Sequence, residues 1–360
     1  MLCGMTYASF SHASCLRDLG FDVYVLHTQS NRGLHYPQRR QVDGITEIPL
    51  KLSGSGLVWN PIQGDPSVLQ RIVDDIGPQV IIAEGWYTWG IHLLPALSRP
   101  GRRMLLISHG SVEPHKSWRP TDLARSLGYW WYDLMNRRRI LRSLSGAGLL
   151  SFYQDKKRFR DHRYFKRYRV ATFLVPNMSA FQLKSSTPRL NRGNSIAIVG
   201  EMSGNKNQVA ALTACLAAES TRRVKFIYPI ENEYSKQVKR GAASARSIAI
   251  EYVIGKPREQ LQVEMDDVDL ILLTSGTEAQ PLVLIDGLAL GIPFVSTQVG
   301  CVPAMRGGQV AELAAMPALI DRYFQDNDFY ASQSRAAIEY FKSQYSRQHV
   351  LEGLAQLVQA

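Results

Sequence analysis

The chain has 360 residues, of which 45% are hydrophobic, 20% charged and 9% aromatic. These fractions are those of a globular protein, so they exclude an intrinsically disordered chain and a fibrous repeat, and the length predicts two domains. No apolar run approaches the roughly 18–20 residues that a membrane-spanning helix needs, and the N-terminal sequence lacks the pattern of a signal peptide. We therefore expect neither a membrane span nor secretion.

The positive charge is concentrated in one part of the sequence. The formal net charge is +11, and between Arg99 and Arg169 there are 18 Lys and Arg against 5 Asp and Glu. Such a region indicates an anionic partner, which by charge alone is a phosphate group, an anionic lipid or a nucleic acid. The four cysteines are scattered, so the sequence predicts no disulfide framework and no zinc site, and we expect a reducing cytoplasm.

Short runs rich in Val and Ile alternate with helical patterns along the chain, which is typical of parallel sheets covered by helices. The predicted strands are Asp22–Leu26, Gln79–Ala83, Met104–Ser108, Gly146–Ser151, Thr172–Val175, Ser195–Val199, Val224–Tyr228, Ile248–Tyr252, Leu270–Leu273 and Pro293–Ser296. The polar, turn-rich segment Ser179–Asn194 separates them into two groups. The sequence thus predicts an α/β protein with two doubly wound domains, residues 1–185 and 186–330, followed by helices over 331–360 that pack back on the N-terminal domain.

Ligands of open parallel sheets bind beyond the carboxyl ends of the strands. Three of the predicted strands are followed by polar segments: Ser108-His109-Gly110, Gly200 to Asn207, and Thr274 to Glu278. We expect these three strand ends to converge on a cleft between the two domains.

The segment after Glu278 has the features of a phosphate site. Pro281 suits the first position of a helix, so the backbone N–H groups of Leu282 and Val283 would face a ligand at the helix start. Asp286 would then lie about 7 Å further along the helix. This spacing fits a nucleotide sugar, with its hexose at Glu278 and its ribose at Asp286. A solvated loop glutamate and a helix-surface aspartate fit the same spacing.

The stretch from Ser275 to Pro293 resembles the retaining GT-B glycosyltransferases of family 4, also called glycosyl transferases group 1. That family carries a Glu-x7-Glu motif, an apolar helix and a Gly-x-Pro strand entry, and this sequence has Glu278-x7-Asp286 followed by Leu-Ala-Leu-Gly-Ile-Pro. Further matches along the chain are Gly4, His109, Val175-Pro176-Asn177, Gly200 to Lys206 and Val299-Gly300. The resemblance implies the GT-B fold, in which two Rossmann-like domains face each other across a cleft, with the acceptor in the first domain and the donor in the second.

The resemblance also implies roles for individual residues. His109 and Glu278 would be the catalytic residues, both in contact with the donor sugar. Lys206 and the backbone N–H groups of Leu282 and Val283 would stabilise the donor diphosphate. For His109, a loop histidine bound only within the fold is the alternative interpretation.

Asp286 would bind the donor ribose, although it is one methylene shorter than the glutamate of the family. Glu201 stands where many members have an arginine, so Lys206 would carry the positive charge of its loop alone. Gly4 would allow the backbone to approach a phosphate at the start of a helix through Ser14–Leu19; a chain end without a ligand is the alternative there.

The basic region contains a predicted amphipathic helix, Thr121–Leu144. Its candidate partner-binding residues are Trp130, Trp131, Arg137, Arg138, Arg139 and Arg142. Aromatic and basic residues together favour an anionic membrane surface or an acceptor phosphate as partner, whereas packing of the apolar side on the sheet fits the same pattern. No nucleic-acid-binding motif accompanies the helix, so we expect no nucleic-acid partner.

Together, these features predict a metal-independent glycosyltransferase of the hexosyltransferase type that moves a sugar from a nucleoside-diphosphate donor to a glycan or lipid-linked acceptor. We expect it to act in bacterial surface polysaccharide or glycoconjugate synthesis, in the cytoplasm at the inner face of the cell membrane. No cofactor is expected beyond the nucleotide sugar as co-substrate, since the sequence contains no metal-ligand spacing, no P-loop and no Gly-x-Gly-x-x-Gly. Two alternatives remain: a non-catalytic GT-B-like protein that binds a nucleotide or a membrane, and a sugar epimerase of the same architecture.

Overall fold

The computed structural model describes residues 4–28, 39–57, 59–110, 120–152, 161–183, 185–191, 193–243, 245 and 247–360. The chain forms two compact units. The first unit consists of Met5–Pro176 together with Val350–Ala360, and the second of Asn177–His349 together with Gly4. The second unit is thus inserted, along the sequence, between the two parts of the first.

The first unit contains two sheets. Its strands are Val23–Thr28 (β1), Arg40–Val42 (β2), Ile45–Leu50 (β3), Val80–Glu84 (β4), Arg103–Ser108 (β5), Gly146–Leu149 (β6) and Ala171–Leu174 (β7). One sheet has the order β1-β3-β2, with β2 antiparallel to β3, and in the other β4, β5, β6 and β7 run parallel in chain order. Its helices are Gly4–Asp18 (α1), Pro66–Ile76 (α2), Trp89–Leu93 (α3), Pro120–Tyr132 (α4), Arg138–Ser143 (α5) and Asp161–Tyr168 (α6).

The second unit is built on one parallel sheet of six strands. These strands are Ser195–Val199 (β8), Arg223–Tyr228 (β9), Ala249–Ile254 (β10), Leu270–Leu273 (β11), Phe294–Ser296 (β12) and Gly308–Val310 (β13). Their order is β10-β9-β8-β11-β12-β13. This is the Rossmann order, which reverses direction between β8 and β11 and opens a ligand crevice at that point.

The helices of the second unit are Gln208–Ala217 (α7), Glu233–Ala242 (α8), Leu261–Glu264 (α9), Leu282–Ala289 (α10), Met316–Gln325 (α11) and Asn327–Gln344 (α12). The last helix of the chain, Arg347–Gln359 (α13), leads back to the first unit. All four residues of β11 are buried, because a parallel strand covered by helices on both faces has no solvated side.

α13 packs closely on the end of β7. A Cβ atom at Gly353 would lie 2.0 Å from the carbonyl oxygen of Leu174, so the helix approaches the strand through a residue without a side chain. Arg103, at the start of β5, donates a hydrogen bond to the carbonyl oxygen of Val358. The C-terminal helix is therefore part of the packing of the first unit.

All ten predicted strands are present, displaced by at most two residues at an end. Three strands were missed: β2 and β13 have only three residues each, and β3 contains Pro49, which argues against a strand in the sequence. The predicted helix Ser14–Leu19 was placed too late, since the helix in this part of the chain is α1, which begins at Gly4 and ends at Asp18.

The predicted helix Thr121–Leu144 is present as α4, a single π-helical turn over Asp133–Arg137, and α5 in direct succession. Of the helices in the described ranges, none combines the length and the apolar character that crossing a membrane requires.

Candidate active site

The loops after β8 and β11 are bound to each other at the switch point of the second unit. The Gly276 N–H donates to the carbonyl oxygen of Asn205 at 2.7 Å, and the side-chain amide of Asn205 donates to the carbonyl oxygen of Thr277 at 3.2 Å. The hydroxyl of Thr274 donates to the carbonyl oxygen of Asn207 at 2.9 Å. These bonds fix the two loops side by side, so the polar residues that they carry are held together.

Lys206 and Glu278, both predicted site residues, meet between these loops. Lys206 Nζ donates to Glu278 Oε1, and the two side chains are 29% and 13% exposed. Because both side chains are largely shielded from water, each charge is compensated mainly by the other. The structure thus forms a cation–carboxylate pair at the position where the fold opens its crevice. Glu201, at the start of the same loop as Lys206, is exposed.

α10 begins four residues after Glu278. Pro281 is the N-cap, one position earlier than predicted, and its carbonyl oxygen accepts the N–H groups of Leu284 and Ile285 at 3.1 and 3.4 Å. The N–H groups of Leu282 and Val283 belong to the first turn, where a helix offers no intrahelical acceptor. They also lie at the positive end of the helix dipole, as an anion site requires.

Asp286 lies in the interior of the second unit, where it is 4% exposed. Its Oδ1 accepts hydrogen bonds from Ser179 Oγ at 2.7 Å and from the Ala180 N–H at 3.2 Å, and its Oδ2 accepts one from Arg258. Burial raises the pKa of Asp286, while the charge of Arg258 and the hydrogen bonds act in the opposite direction. Both oxygens are therefore bound by protein groups. Arg258 was not predicted as a site residue, although it follows a predicted strand as Lys206 does.

The backbone of the Glu278 loop rests against Gly300. The φ angle of Gly300 is +50°, and a Cβ atom there would lie 2.4 Å from the carbonyl oxygen of Glu278 and 2.3 Å from that of Ala279. The next residue, Cys301, donates its N–H to the carbonyl oxygen of Ala279 at 3.1 Å. The loop can keep this position only because residue 300 has no side chain.

In the first unit, His109 follows β5 and contacts Glu84, the last residue of the neighbouring strand β4. His109 Nε2 lies 2.7 Å from Glu84 Oε2, and on the other side His12 Nδ1 lies 2.9 Å from Glu84 Oε1. Burial favours the neutral acid, but the charge of His12 and the hydrogen bonds with both histidines lower the pKa of Glu84 to about 2. Glu84 and His12 were not predicted, although Glu84 directly follows a predicted strand.

α4, the π-helical turn and α5 expose large apolar and basic side chains along one surface. Trp130 is 61% exposed and Trp131 50% exposed. We name this the aromatic–basic surface and define it by Leu127, Trp130, Trp131, Leu134, Met135, Arg138, Arg139 and Arg142, all of them exposed.

Arg137 does not belong to that surface, which corrects the prediction that groups it with the other three arginines. It is 4% exposed, and its guanidinium lies 4.0 Å from the ring centroid of Tyr164 and 4.9 Å from that of Trp86. It also donates to the hydroxyl of Tyr87 at 3.0 Å. The aromatic rings of the first unit stabilise this buried cation through cation–π contacts.

Within the described part of the chain, no three His, Cys, Asp or Glu side chains are grouped so that they could hold a metal ion.

No protein-family profile matches the chain, and none of the curated proteins does. Solved structures do match it. Sucrose-phosphate synthase from Thermosynechococcus elongatus is similar with a TM-score of 0.69 and 13% sequence identity, over 99% of this chain and 93% of that one. A glycosyltransferase from Rickettsia africae ESF-5 has a TM-score of 0.67 and 13% identity, over 99% of this chain and 94% of that one.

HepE from Anabaena, solved in complex with UDP-glucose, is similar with a TM-score of 0.60 and 13% identity, over 81% of each chain. Similarity at this level of identity is evidence about the fold. The chain has the α/β fold of the GT-B type that the sequence predicts.

We predict that Gly300→Ala lowers the free energy of unfolding by about 1–3 kcal/mol, because the new Cβ must displace two backbone carbonyl groups. Urea unfolding measures this change. Gly204→Ala is the control, since a Cβ at Gly204 meets nothing within 4 Å. Equal stability of the two variants would contradict the close contact between Gly300 and the Glu278 loop.

Proposed function

We propose that this protein is a retaining glycosyltransferase of family 4, which moves a sugar from a nucleoside-diphosphate donor to a glycan or lipid-linked acceptor. The observation that carries the proposal is the Lys206–Glu278 pair just before the start of α10, at the switch point of the Rossmann-ordered sheet. A cation and a helix N-terminus suit the diphosphate of a nucleotide sugar, and a carboxylate suits the hydroxyl groups of its sugar. HepE, which has the same fold, binds UDP-glucose, and we propose a uridine diphosphate sugar as the donor.

In the proposed reaction, the bond between the anomeric carbon of the sugar and the diphosphate oxygen breaks. The acceptor hydroxyl oxygen bonds to that carbon on the same face, and its proton passes to the leaving phosphate oxygen, so the configuration is retained. Lys206 and the N–H groups of Leu282 and Val283 stabilise the charge that develops on the diphosphate, and the scheme therefore uses no metal ion and no cofactor. Glu278 and His109 bind hydroxyl groups of the donor sugar; Glu278 orients the sugar and does not attack it.

We assign Asp286 to the ribose side of this donor site. Its carboxylate is bound by Arg258 and Ser179, so a ribose hydroxyl would share these oxygens or replace one of the protein groups. We assign Gly4, in the first turn of α1, to the approach of the backbone to a phosphate group, since a first turn offers free N–H groups.

We further propose that the aromatic–basic surface binds an anionic membrane. Exposed Trp130 and Trp131 are side chains that insert at the level of the lipid head groups, and Arg138, Arg139 and Arg142 supply the complementary charge. A lipid-linked acceptor would then be reached at the membrane. This location fits a role in bacterial surface polysaccharide or glycoconjugate synthesis, on the inner face of the cell membrane.

A second candidate function is a non-catalytic GT-B-like protein that binds a nucleotide. Glu201, which stands where the family has an arginine, favours it because a carboxylate there repels a diphosphate. Incubation with nucleotide sugars and detection of the released nucleotide distinguish the candidates. Binding of uridine diphosphate without any turnover would support the second.

We predict that Glu278→Gln lowers kcat for transfer or for slow donor hydrolysis by about a hundredfold or more, because the side chain acts at the reacting sugar. Steady-state kinetics with the same nucleotide sugar measures the effect. The control is Glu233→Gln, which changes a glutamate whose side chain is 83% exposed on α8 and should leave kcat unchanged. Equal kcat of the wild type and Glu278→Gln would exclude the catalytic role of Glu278.

We predict that Lys206→Ala weakens binding of uridine diphosphate by about tenfold or more, since its loop has no second cation to compensate. Calorimetric titration measures the dissociation constant, with Lys236→Ala on α8 as control. Glu201→Arg should hold or improve the affinity. If neither Lys206→Ala nor Glu201→Arg changes the affinity, the phosphates bind elsewhere.

We predict that the protein sediments with anionic vesicles and that replacing Arg138, Arg139 and Arg142 by Gln abolishes this. Three arginines contribute on the order of 3 kcal/mol near an anionic leaflet. The binding should disappear at high salt, because the Debye length falls from about 10 Å at 0.1 M to about 3 Å at 1 M.

The control for the vesicle experiment removes the same charge from α8, by replacing Lys236, Lys239 and Arg240 with Gln. This variant should sediment like the wild type. Equal sedimentation of both triple variants, or of the wild type with neutral vesicles, would show that the aromatic–basic surface is not a membrane site.

A further inference from the structure

Glu84, His12 and His109 form a chain of three ionisable groups in the first unit, contributed by three different elements. Glu84 ends β4, His109 follows the adjacent parallel strand β5, and His12 lies in α1. The carboxylate is held between the two rings, whose centroids are 6.5 Å apart. The side chain of His12 is 1% exposed, that of His109 14% and that of Glu84 20%.

The hydrogen bonds of His12 determine where its protons lie. Its Nδ1 faces the carboxylate of Glu84 at 2.9 Å, and its Nε2 faces the backbone carbonyl oxygen of Pro176 at 3.3 Å. An ionised carboxylate and a carbonyl oxygen only accept hydrogen bonds, so both ring nitrogens of His12 must donate. His12 is therefore the imidazolium ion. The pKa of His12 agrees with this, because it lies above the ordinary value for histidine. Burial lowers this pKa, but the charge and the hydrogen bond of Glu84 raise it by a larger amount.

The same reasoning determines the tautomer of His109. Its Nε2 lies 2.7 Å from the ionised Glu84 and must donate to it. In the neutral form of His109, the single ring proton is therefore on Nε2 and the lone pair is on Nδ1. Among the described residues, no hydrogen bond to His109 Nδ1 is present.

We propose that Glu84, held in place by the buried His12 cation, is the positioning residue that fixes His109 as its Nε2–H tautomer, so that Nδ1 accepts a hydrogen bond from a hydroxyl group of the donor sugar. This inference rests on the proposed function for the contact of His109 with that sugar. The inference adds a sugar preference to the proposed function. A sugar with a hydroxyl group facing His109 Nδ1 is bound, and a uronate is disfavoured because its carboxylate oxygens would face the lone pair of that nitrogen.

The first test reads the protons directly and needs no substrate. In wild-type protein, long-range 1H–15N correlation spectra recorded over a pH series should show that His12 stays protonated on both nitrogens to a higher pH than an ordinary histidine does, and that neutral His109 is protonated on Nε2 only. His12→Gln and His109→Gln identify the two signals by their loss. A His12 that loses its second proton at or below the pH of an ordinary histidine, or a proton on Nδ1 of neutral His109, would overturn the proposal.

The second test changes the tautomer. In Glu84→Gln, the amide oxygen accepts from His12 and the amide N–H donates to His109 Nε2, which moves the proton of His109 to Nδ1. The ratio of kcat/KM for UDP-glucose to that for UDP-glucuronate should then fall by about tenfold or more. The control is Glu47→Gln, which changes a buried glutamate of the same unit whose carboxylate pairs with Arg40. An unchanged ratio in Glu84→Gln would overturn the specificity role.

The two tests separate this proposal from the proposed function. If the spectra show the expected protons but no nucleotide sugar is turned over, the proposed function fails while the assignment of His12 and His109 stands. If turnover occurs and the spectra show a different tautomer, the proposed function stands and the role of Glu84 fails.

Discussion

The architecture of the second unit depends on the parallel pairing of β8 with β11. The chain leaves β8 toward β9 on one side and reaches β11 on the other, so the loops that follow these two adjacent strands lie at the same edge of the sheet. Lys206 and Glu278 are 72 residues apart in sequence, and they are in contact because β8 and β11 are neighbours in the sheet. The hydrogen bonds between the two loops then hold the contact in place, and Gly300, which has no side chain, leaves room for the Glu278 loop.

Three of the polar centres contain their own counter-charge. Lys206 is paired with Glu278, Arg258 with Asp286, and His12 with Glu84. A charge removed from water is costly unless it is paired, so these partners allow the fold to hold ionised groups beside its strand ends. The same pairing has a consequence for a ligand. An anion that approaches Lys206 must compete with Glu278, so affinity is lowered and ligands that satisfy both partners at once are favoured.

The sequence predicted the elements whose pattern is local. Parallel strands such as β5, β8 and β11 are continuous apolar runs, so they could be predicted. The residues that follow them include His109, Lys206 and Glu278, which were therefore predicted as site residues. The sequence did not predict β3, because Pro49 indicates an interruption of a strand, although the strand contains it.

Contacts between side chains that are far apart in the sequence could not be predicted. Glu84 and His109 are joined only because β4 and β5 are neighbours, and His12 is 72 residues from Glu84. The burial of Arg137 could likewise not be predicted from the sequence. A run of three arginines does not show which one contacts the aromatic rings of Trp86 and Tyr164.

The return of the chain to the first unit imposes an order on its folding. α13 packs on β7 through Gly353, yet the residues of the second unit, Asn177–His349, are synthesised between these two elements. On the ribosome, β4 to β7 are complete long before the helix that covers their end exists. The second unit has its whole sequence available first. A nascent chain therefore carries an uncovered β7 end throughout the translation of the second unit, and α13 can dock on it only afterwards.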